Sequence, residues 1–541
     1  MDININTWAS KYLQLSFHDR ILCQTKTCLI HLVIILLVIA SSTYFITASV
    51  IAQGTVNSSQ IQISIVDPNP NLIDLESGEL INDVSAIGSI NDTRLGTISD
   101  GISKLLLVAN YENPLNFTIL DNDNSQSKGT LSSLSSDAAK ADVQNSTVIV
   151  DPQIADNEIP VTTVVYTPPL TYPTDTFETV NENHQTIKLL VEDVTNSSNK
   201  TEISLSLYRV PVVLVHGIWS NSDESWIQTK FIETLESANI NIHLADYREH
   251  NAETFDPYYI PVMGNYGIDS IRNSVSEILD SYHNDEIAAS QVDMVGHSMG
   301  GLMARGFVQQ PDYLDEDNYF QGFIHRLITI GTPHYGAHLA DILYDHRNNC
   351  YCIQSNVIVN PSLCLPQYLK QLKTIFEQDY QNPIDEGGVE ALAPGSVAHS
   401  HLCETNVPSY AIAGSWAPSA TNSHSTMEIF YRTITGNLLF DLDRDGFQGS
   451  FEGNNDLQVS IDSQIGGLPS QFRTINSALP SQSGVYSNTV HSSSFIALED
   501  QNVTSELKSK DIQNDVVTLL YSSQDKFANA IGLGSPCQIP E

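Results

Sequence analysis

Residues 292–301 read VDMVGHSMGG, and they constrain the fold more than any other stretch of this 541-residue chain. An apolar run ends at Gly296, Ser298 follows two residues later, and Gly300 and Gly301 come directly after it. The segment LMARGFVQQ then reads as a helix. A strand that turns so sharply into a helix needs small residues, because side chains at positions 296 and 300 would crowd the turn. The turn also presents Ser298 at the end of the strand. The helix N-terminus behind it supplies partial positive charge where an oxyanion would form.

This turn sits within a regular alternation of strands and helices. VPVVLVHGIWS, from Val210, is a continuous apolar run of the kind a parallel strand covered on both faces requires. The pattern predicts a helix over 223–237, a strand NIHLADY over 241–247 and a helix over 267–283. On that second helix Ile268, Ile271, Val275, Ile278, Leu279 and Tyr282 share one face. QVDMV, RLITI (326–330) and PSYAIAG (408–414) read as further strands. Residues 209–541 are therefore expected to form an α/β domain with a doubly wound, mostly parallel sheet. Residues 345–404 interrupt it as a cap insertion.

The preceding region has another texture. Residues 53–208 are rich in Ser, Asn, Asp and Thr, and short apolar or alternating runs recur between turn signals: IQISIV, KLLLVANY, NFTIL, STVIV, VTTVVY, TIKLLVED and EISLSLY. Many short strands predict one all-β sandwich, with 121–145 as a long loop. DGISKLLLVANYENP and the later VYTPPL resemble secreted Ig-like or invasin-type bacterial modules.

The first fifty residues predict export. Residues 29–52 hold the strongest apolar run, LIHLVIILLVIA, and its weaker continuation. Lys11, Arg20 and Lys26 precede it, and no Lys or Arg follows until Arg94. This asymmetry places 1–28 in the cytoplasm and the rest outside. Val50-Ile51-Ala52 suits signal-peptide cleavage, and the 24 residues from Leu29 to Ala52 are equally long enough to anchor the chain in a membrane uncut. Export permits disulfides. Cys350, Cys352, Cys364 and Cys403 are candidates for one or two bridges, with a metal site as the minor alternative. Sixty-three acidic against 24 basic residues give a formal charge of −39, a field that repels phosphate backbones and argues against a nucleic-acid partner.

VDMVGHSMGGLMAR, RLITIGTPHYGAHLA and PVVLVHGIWS together resemble the α/β-hydrolase superfamily, in particular lipases and GPI-inositol-deacylase-like serine esterases, over about residues 209–500. The resemblance implies acyl-ester hydrolysis by a Ser–His–Asp triad in the chain order serine, acid, histidine. Ser298 is the nucleophile. His325, His334, His338, His346, His399, His401 and His424 compete for the base, but only His491 lies beyond the acid region. NNDLQVSIDSQIGGL resembles the segment that opens a turn on the acid; the matching position is Asp456, with Asp462 as second choice. Backbone amides of Met299 and Ile218 are the expected oxyanion donors, and His216, His297 and His334 are read as structural neighbours of the turns.

DLDRDGFQGSFE, residues 441–452, fits D-x-D-x-D-G-x5-E and resembles an EF-hand calcium loop. Asp441, Asp443, Asp445, the Phe447 carbonyl and Glu452 would hold a structural Ca2+ four residues before Asp456, with no cofactor in the chemistry itself. FDPYYIPVMGNYG (255–267) offers apolar and aromatic side chains for an acyl pocket or lid. The reading is thus an exported carboxylic-ester hydrolase of lipase or esterase type, acting on esters or lipids. The rival readings are a surface adhesion protein on a non-catalytic hydrolase scaffold, and an acyltransferase.

Overall fold

The computed structural model describes residues 60–68, 93–120, 128–133, 146–154, 160–173, 184–259, 267–337, 340, 344, 387–415, 456, 458–475, 486–487, 489–491 and 504–528. The apolar segment 29–52, the acidic loop 441–452, and Cys350, Cys352 and Cys364 lie outside these residues. Among the described residues no helix is long and apolar enough to cross a membrane.

A seven-stranded sheet organises the C-terminal region. Its order is Ile242–Ala245, Val212–Val215, Val292–His297, Ile324–Ile330, Ser409–Ser415 and Arg473–Ile475, and Tyr486–Ser487 also pairs with Ser409–Ser415. Every pairing is parallel. The apolar runs follow from cover on both faces. Val213 and Val215 join a core shared with helices Gly267–Asn284 and Met299–Val308. Val212 and Leu214 point the other way, into a core shared with helices Phe231–Ser237 and Lys510–Tyr521. Burying each of these side chains contributes roughly 1.5–3 kcal/mol. The six apolar residues predicted to share a face of Gly267–Asn284 are all buried.

The predicted helix over 223–237 is broken. Asp223–Ile227 forms one short turn, and Phe231–Ser237 is a separate helix. Lys230 between them takes a left-handed conformation, with φ of 63°, which no continuous right-handed helix contains.

The N-terminal region forms two sheets. One joins Ile63–Val66, Leu105–Asn110, Pro160–Thr167 and Thr130–Ser133, with Gln153–Ile154 beside Pro160–Thr167. The other runs Ile287–Ala288, Gly96–Ile98, Lys200–Tyr208, His184–Asp193, Leu115–Leu120, Thr147–Val150. Leu105, Leu107, Val164 and Tyr166 from the first share one core with Phe117, Leu189, Val191 and Leu207 from the second. Each of the seven apolar runs in the sequence supplies a strand. Three described strands between 53 and 208 are additions, the two-residue Gln153–Ile154 among them. Thr130–Ser133 lies inside the stretch read as a loop, and Gly96–Ile98 has too few residues to show alternation.

Gly96–Ile98 matters because it is shared between the regions. It pairs in parallel with Lys200–Tyr208 on one side and with Ile287–Ala288, which follows the seven-stranded sheet's first helices in sequence, on the other. Its Gly96 is indispensable to this packing, since a Cβ there would lie 1.9 Å from the Ser206 carbonyl oxygen. At the same junction the Arg209 guanidinium lies 4.0 Å from the Tyr172 ring and 3.8 Å from the Tyr521 ring. Each such contact is worth about 0.5–2 kcal/mol.

Candidate active site

Ser298 ends strand Val292–His297 and caps helix Met299–Val308 with φ of 54° and ψ of −130°. This conformation costs a non-glycine residue about 1–3 kcal/mol and persists only where the surroundings enforce it. Here they do. The Ser298 amide donates to the Ile330 carbonyl at 2.9 Å, and the Ser298 carbonyl accepts from the Gly301 amide at 3.1 Å. A Cβ on Gly300 would stand 2.4 Å from the Val215 carbonyl oxygen and 2.5 Å from that of His216, and one on Gly296 would meet the Gly301 nitrogen at 2.6 Å. These contacts are backbone and cannot yield cheaply. Gly300→Ala is therefore expected to destabilise the fold by at least about 1–3 kcal/mol, read as a clear fall in melting temperature by calorimetry. An unchanged transition would show that the turn is not crowded.

The other two predicted residues arrive from loops near the C-terminus. His491 follows Thr489–Val490, which pairs in parallel with Thr504–Ser505. Its amide donates to the Asp456 carbonyl at 3.0 Å. The side chains form a continuous run: Ser298 Oγ is 2.7 Å from His491 Nε2, and His491 Nδ1 is 2.7 Å from Asp456 Oδ2. Asp456 Oδ1 accepts from the Gln458 and Val459 amides at 2.9 and 2.7 Å, so the carboxylate is fixed from both sides. All three residues are buried, with 6%, 5% and 0% of Ser298, His491 and Asp456 exposed. A carboxylate only accepts, so Nδ1 carries the ring proton and Nε2 is left to accept from the serine hydroxyl.

Among the described residues the competing side chains are committed elsewhere; His338, His346 and His424 lie outside the described residues. Asp462 is exposed, in the first turn of helix Ile461–Ile465. His325 and Arg326 both pair with buried Asp293. His334 lies between Thr329 and Arg305, and His401 pairs with Asp256. His399 packs edge-on against Phe255. His216 stacks on Tyr247 and accepts its amide at 3.2 Å. Residues 387–404, the described end of the predicted insertion, pack into the core through Val389, Leu392, Ala398 and Leu402. Cys403 in this stretch is disulfide-bonded.

The expected oxyanion donors flank the serine. Met299 is the first residue of the helix. The loop that carries Ile218 presses on Ser298: a Cβ on Gly217 would stand 2.8 Å from that of Ser298. Among the described residues neither the Met299 nor the Ile218 amide has a hydrogen-bond acceptor. Two donors at this position would act on an oxyanion forming beside Ser298 Oγ.

One group of the site has no counterpart in the sequence reading. Glu506, fully buried, places Oε2 3.4 Å from His491 Nδ1 and 3.3 Å from His297 Nε2. The His297 ring stacks on that of His491, with centroids 4.9 Å apart. Burial alone would depress the His491 imidazolium, but the neighbouring charges of Asp456 and Glu506, and the bond to Asp456, hold it well above the usual imidazole range. Burial pushes the Asp456 carboxyl up. It would push Glu506 up too, yet its two imidazole partners hold that carboxyl down at about 2. His297 is lowered, chiefly by burial. Nothing local marks Glu506 in TSELKSKD; only the fold brings it to His491.

Residues 211–346 match the family described as "Putative serine esterase (DUF676)". Over 223 residues, 41% of its length, the chain is 24% identical to a triacylglycerol lipase of Pseudarthrobacter phenanthrenivorans and to one of Burkholderia plantarii. It spans 60% and 53% of those two relatives. Among solved structures it is similar to a Staphylococcus hyicus lipase, at 15% identity and a TM-score of 0.33, covering 58% of this chain and 95% of that one.

Proposed function

We propose that this chain is a serine carboxylic-ester hydrolase of lipase or esterase type, with Ser298 as nucleophile, His491 as base and Asp456 as the acid that orients it. The observation that carries the reading is the buried run from Ser298 Oγ through His491 to Asp456, with 2.7 Å at each step. As Oγ attacks the ester carbonyl carbon, its proton passes to His491 Nε2 and the carbonyl electron pair moves to oxygen. The Met299 and Ile218 amides would donate to that oxyanion. Collapse expels the alcohol, which takes the proton from Nε2 and leaves an acyl-serine. Water then repeats the cycle and releases the carboxylic acid. The similarity to two triacylglycerol lipases supports acyl esters as the substrate class.

The rest of the reading stands on the sequence. Residues 29–52 would deliver the catalytic region to the outside of the cell, cleaved or as an anchor, and the N-terminal sheets would serve as a spacer or targeting module. A calcium ion in 441–452 would be structural, bracing the approach to Asp456.

A fluorophosphonate label mapped by mass spectrometry tests the central point. The expected result is a single modified residue, Ser298, together with hydrolysis of a p-nitrophenyl ester series whose rate depends on acyl length. Labelling at another residue, or no turnover across the series, would defeat the assignment.

A further inference from the structure

Glu506 is an expensive residue to bury. A carboxylate moved out of water costs several kcal/mol unless charge and hydrogen bonds compensate it. Its side chain is fully buried, and Oε1 accepts from the Gly414 amide at 3.0 Å. Oε2 makes no well-formed hydrogen bond among the described residues, nor does His297 Nε2, which it faces. Two glycines hollow out its seat: a Cβ on Gly331 would come within 2.1 Å of Oε2, and one on Gly414 within 2.4 Å of Oε1. The cationic partners that act on Glu506 are imidazoles, those of His297 and His491. Because burial depresses His297, His491 is the ring that takes up the positive charge.

We propose that Glu506 is a second, positioning carboxylate of the site, which fixes His297 against His491 and stabilises the imidazolium that His491 becomes when Ser298 gives up its proton. The inference rests on the reading of His491 as the base. It adds a group that acts through His491 without touching substrate. The same three residues also offer ligand atoms within 4.8 Å of one another, a spacing that would suit a metal ion. However, His491 Nδ1 is already bonded to Asp456 at 2.7 Å, and an ion would have to break that bond. The proton network uses the geometry as it stands.

The titratable groups that meet His491 among the described residues are Asp456, Glu506 and His297. Two carboxylates favour its charged form, whereas the base must be neutral to act. Activity should therefore be lost as pH falls through an apparent pKa above the ordinary imidazole value of about 6.5. The experiment is the pH dependence of fluorophosphonate labelling at Ser298 in the wild type, Glu506→Gln and Glu506→Asp. In Glu506→Gln the acid limb should move down by about one pH unit, because a neutral amide no longer favours the imidazolium. Glu506→Asp keeps the charge and should keep the limb near its wild-type position.

A Glu506→Gln limb that coincides with the wild type, or moves up, overturns the proposal while leaving the triad intact. Should Glu506→Gln fail to fold, Asp456→Ala decides, because Glu506 is then the carboxylate that still faces His491 among the described residues: a labelling midpoint that stays above about 6.5 upholds the proposal, and one at or below it overturns it. No labelling of Ser298 in the wild type overturns the triad reading and this proposal together.

Discussion

Ser298→Ala should lower the turnover of a p-nitrophenyl ester by about 10⁴–10⁶-fold while leaving the fold nearly unchanged. The two effects separate because of what the hydroxyl touches. Ser298 Oγ meets His491 Nε2 at 2.7 Å, whereas the turn is held by the Ser298 backbone bonds to Ile330 and Gly301. Alanine keeps those backbone bonds and adds no atom. Its structural cost is one unpaired ring nitrogen on a nearly buried histidine, on the order of 1–3 kcal/mol at most. The chemical cost is the whole covalent route. A residual rate of about 10³–10⁴ over water is still expected, since the Met299 and Ile218 amides remain to act on an oxyanion. Calorimetry and steady-state kinetics on the same preparations check both halves. A variant that retains the wild-type rate would place the chemistry elsewhere in the chain.

How much of this was legible in the sequence follows from the range of each interaction. The parallel strands could be read because Val212 to Val215 are buried alternately in two cores, which leaves an unbroken apolar run. The helix Gly267–Asn284 could be read because one face carries its burial. The turn at Ser298 could be read because its glycines answer to clashes within a few residues or with one neighbouring strand. Gly96–Ile98 could not, because a three-residue strand has no period and its partners come from positions 206–208 and 287–288. The break at Lys230 is a backbone event that leaves the apolar pattern of 223–237 intact. Glu506 is the clearest case. It lies 15 positions after His491 in a short 3₁₀ turn, and it reads as an ordinary surface glutamate. What gives it meaning is a seat opposite Gly331, just past the end of strand Ile324–Ile330, and Gly414, on strand Ser409–Ser415, which only the fold creates.

Asp456 allows the proton arrangement itself to be tested, because two substitutions at one position should rank against their apparent severity. Asp456 Oδ1 accepts from two backbone amides, those of Gln458 and Val459. In Asp456→Asn the amide oxygen must take that place, since an NH2 group cannot accept. The NH2 then faces His491 Nδ1, which has to become the acceptor. The ring proton shifts to Nε2 and points at Ser298 Oγ, so the ring can no longer remove the serine proton. A loss of about 10⁴-fold in kcat is expected from this tautomer change. Asp456→Ala removes more atoms yet imposes no donor on Nδ1. The Nδ1–H group keeps one carboxylate in reach, Glu506 Oε2 at 3.4 Å, and the productive tautomer survives. Asp456→Ala should therefore retain at least about tenfold more activity than Asp456→Asn, a difference in barrier of about 1.4 kcal/mol. The ranking is measured by kcat at a pH where both variants are folded. If the asparagine variant is the more active, the hydrogen-bond assignment at Asp456 is wrong and the tautomer of His491 is set by another group.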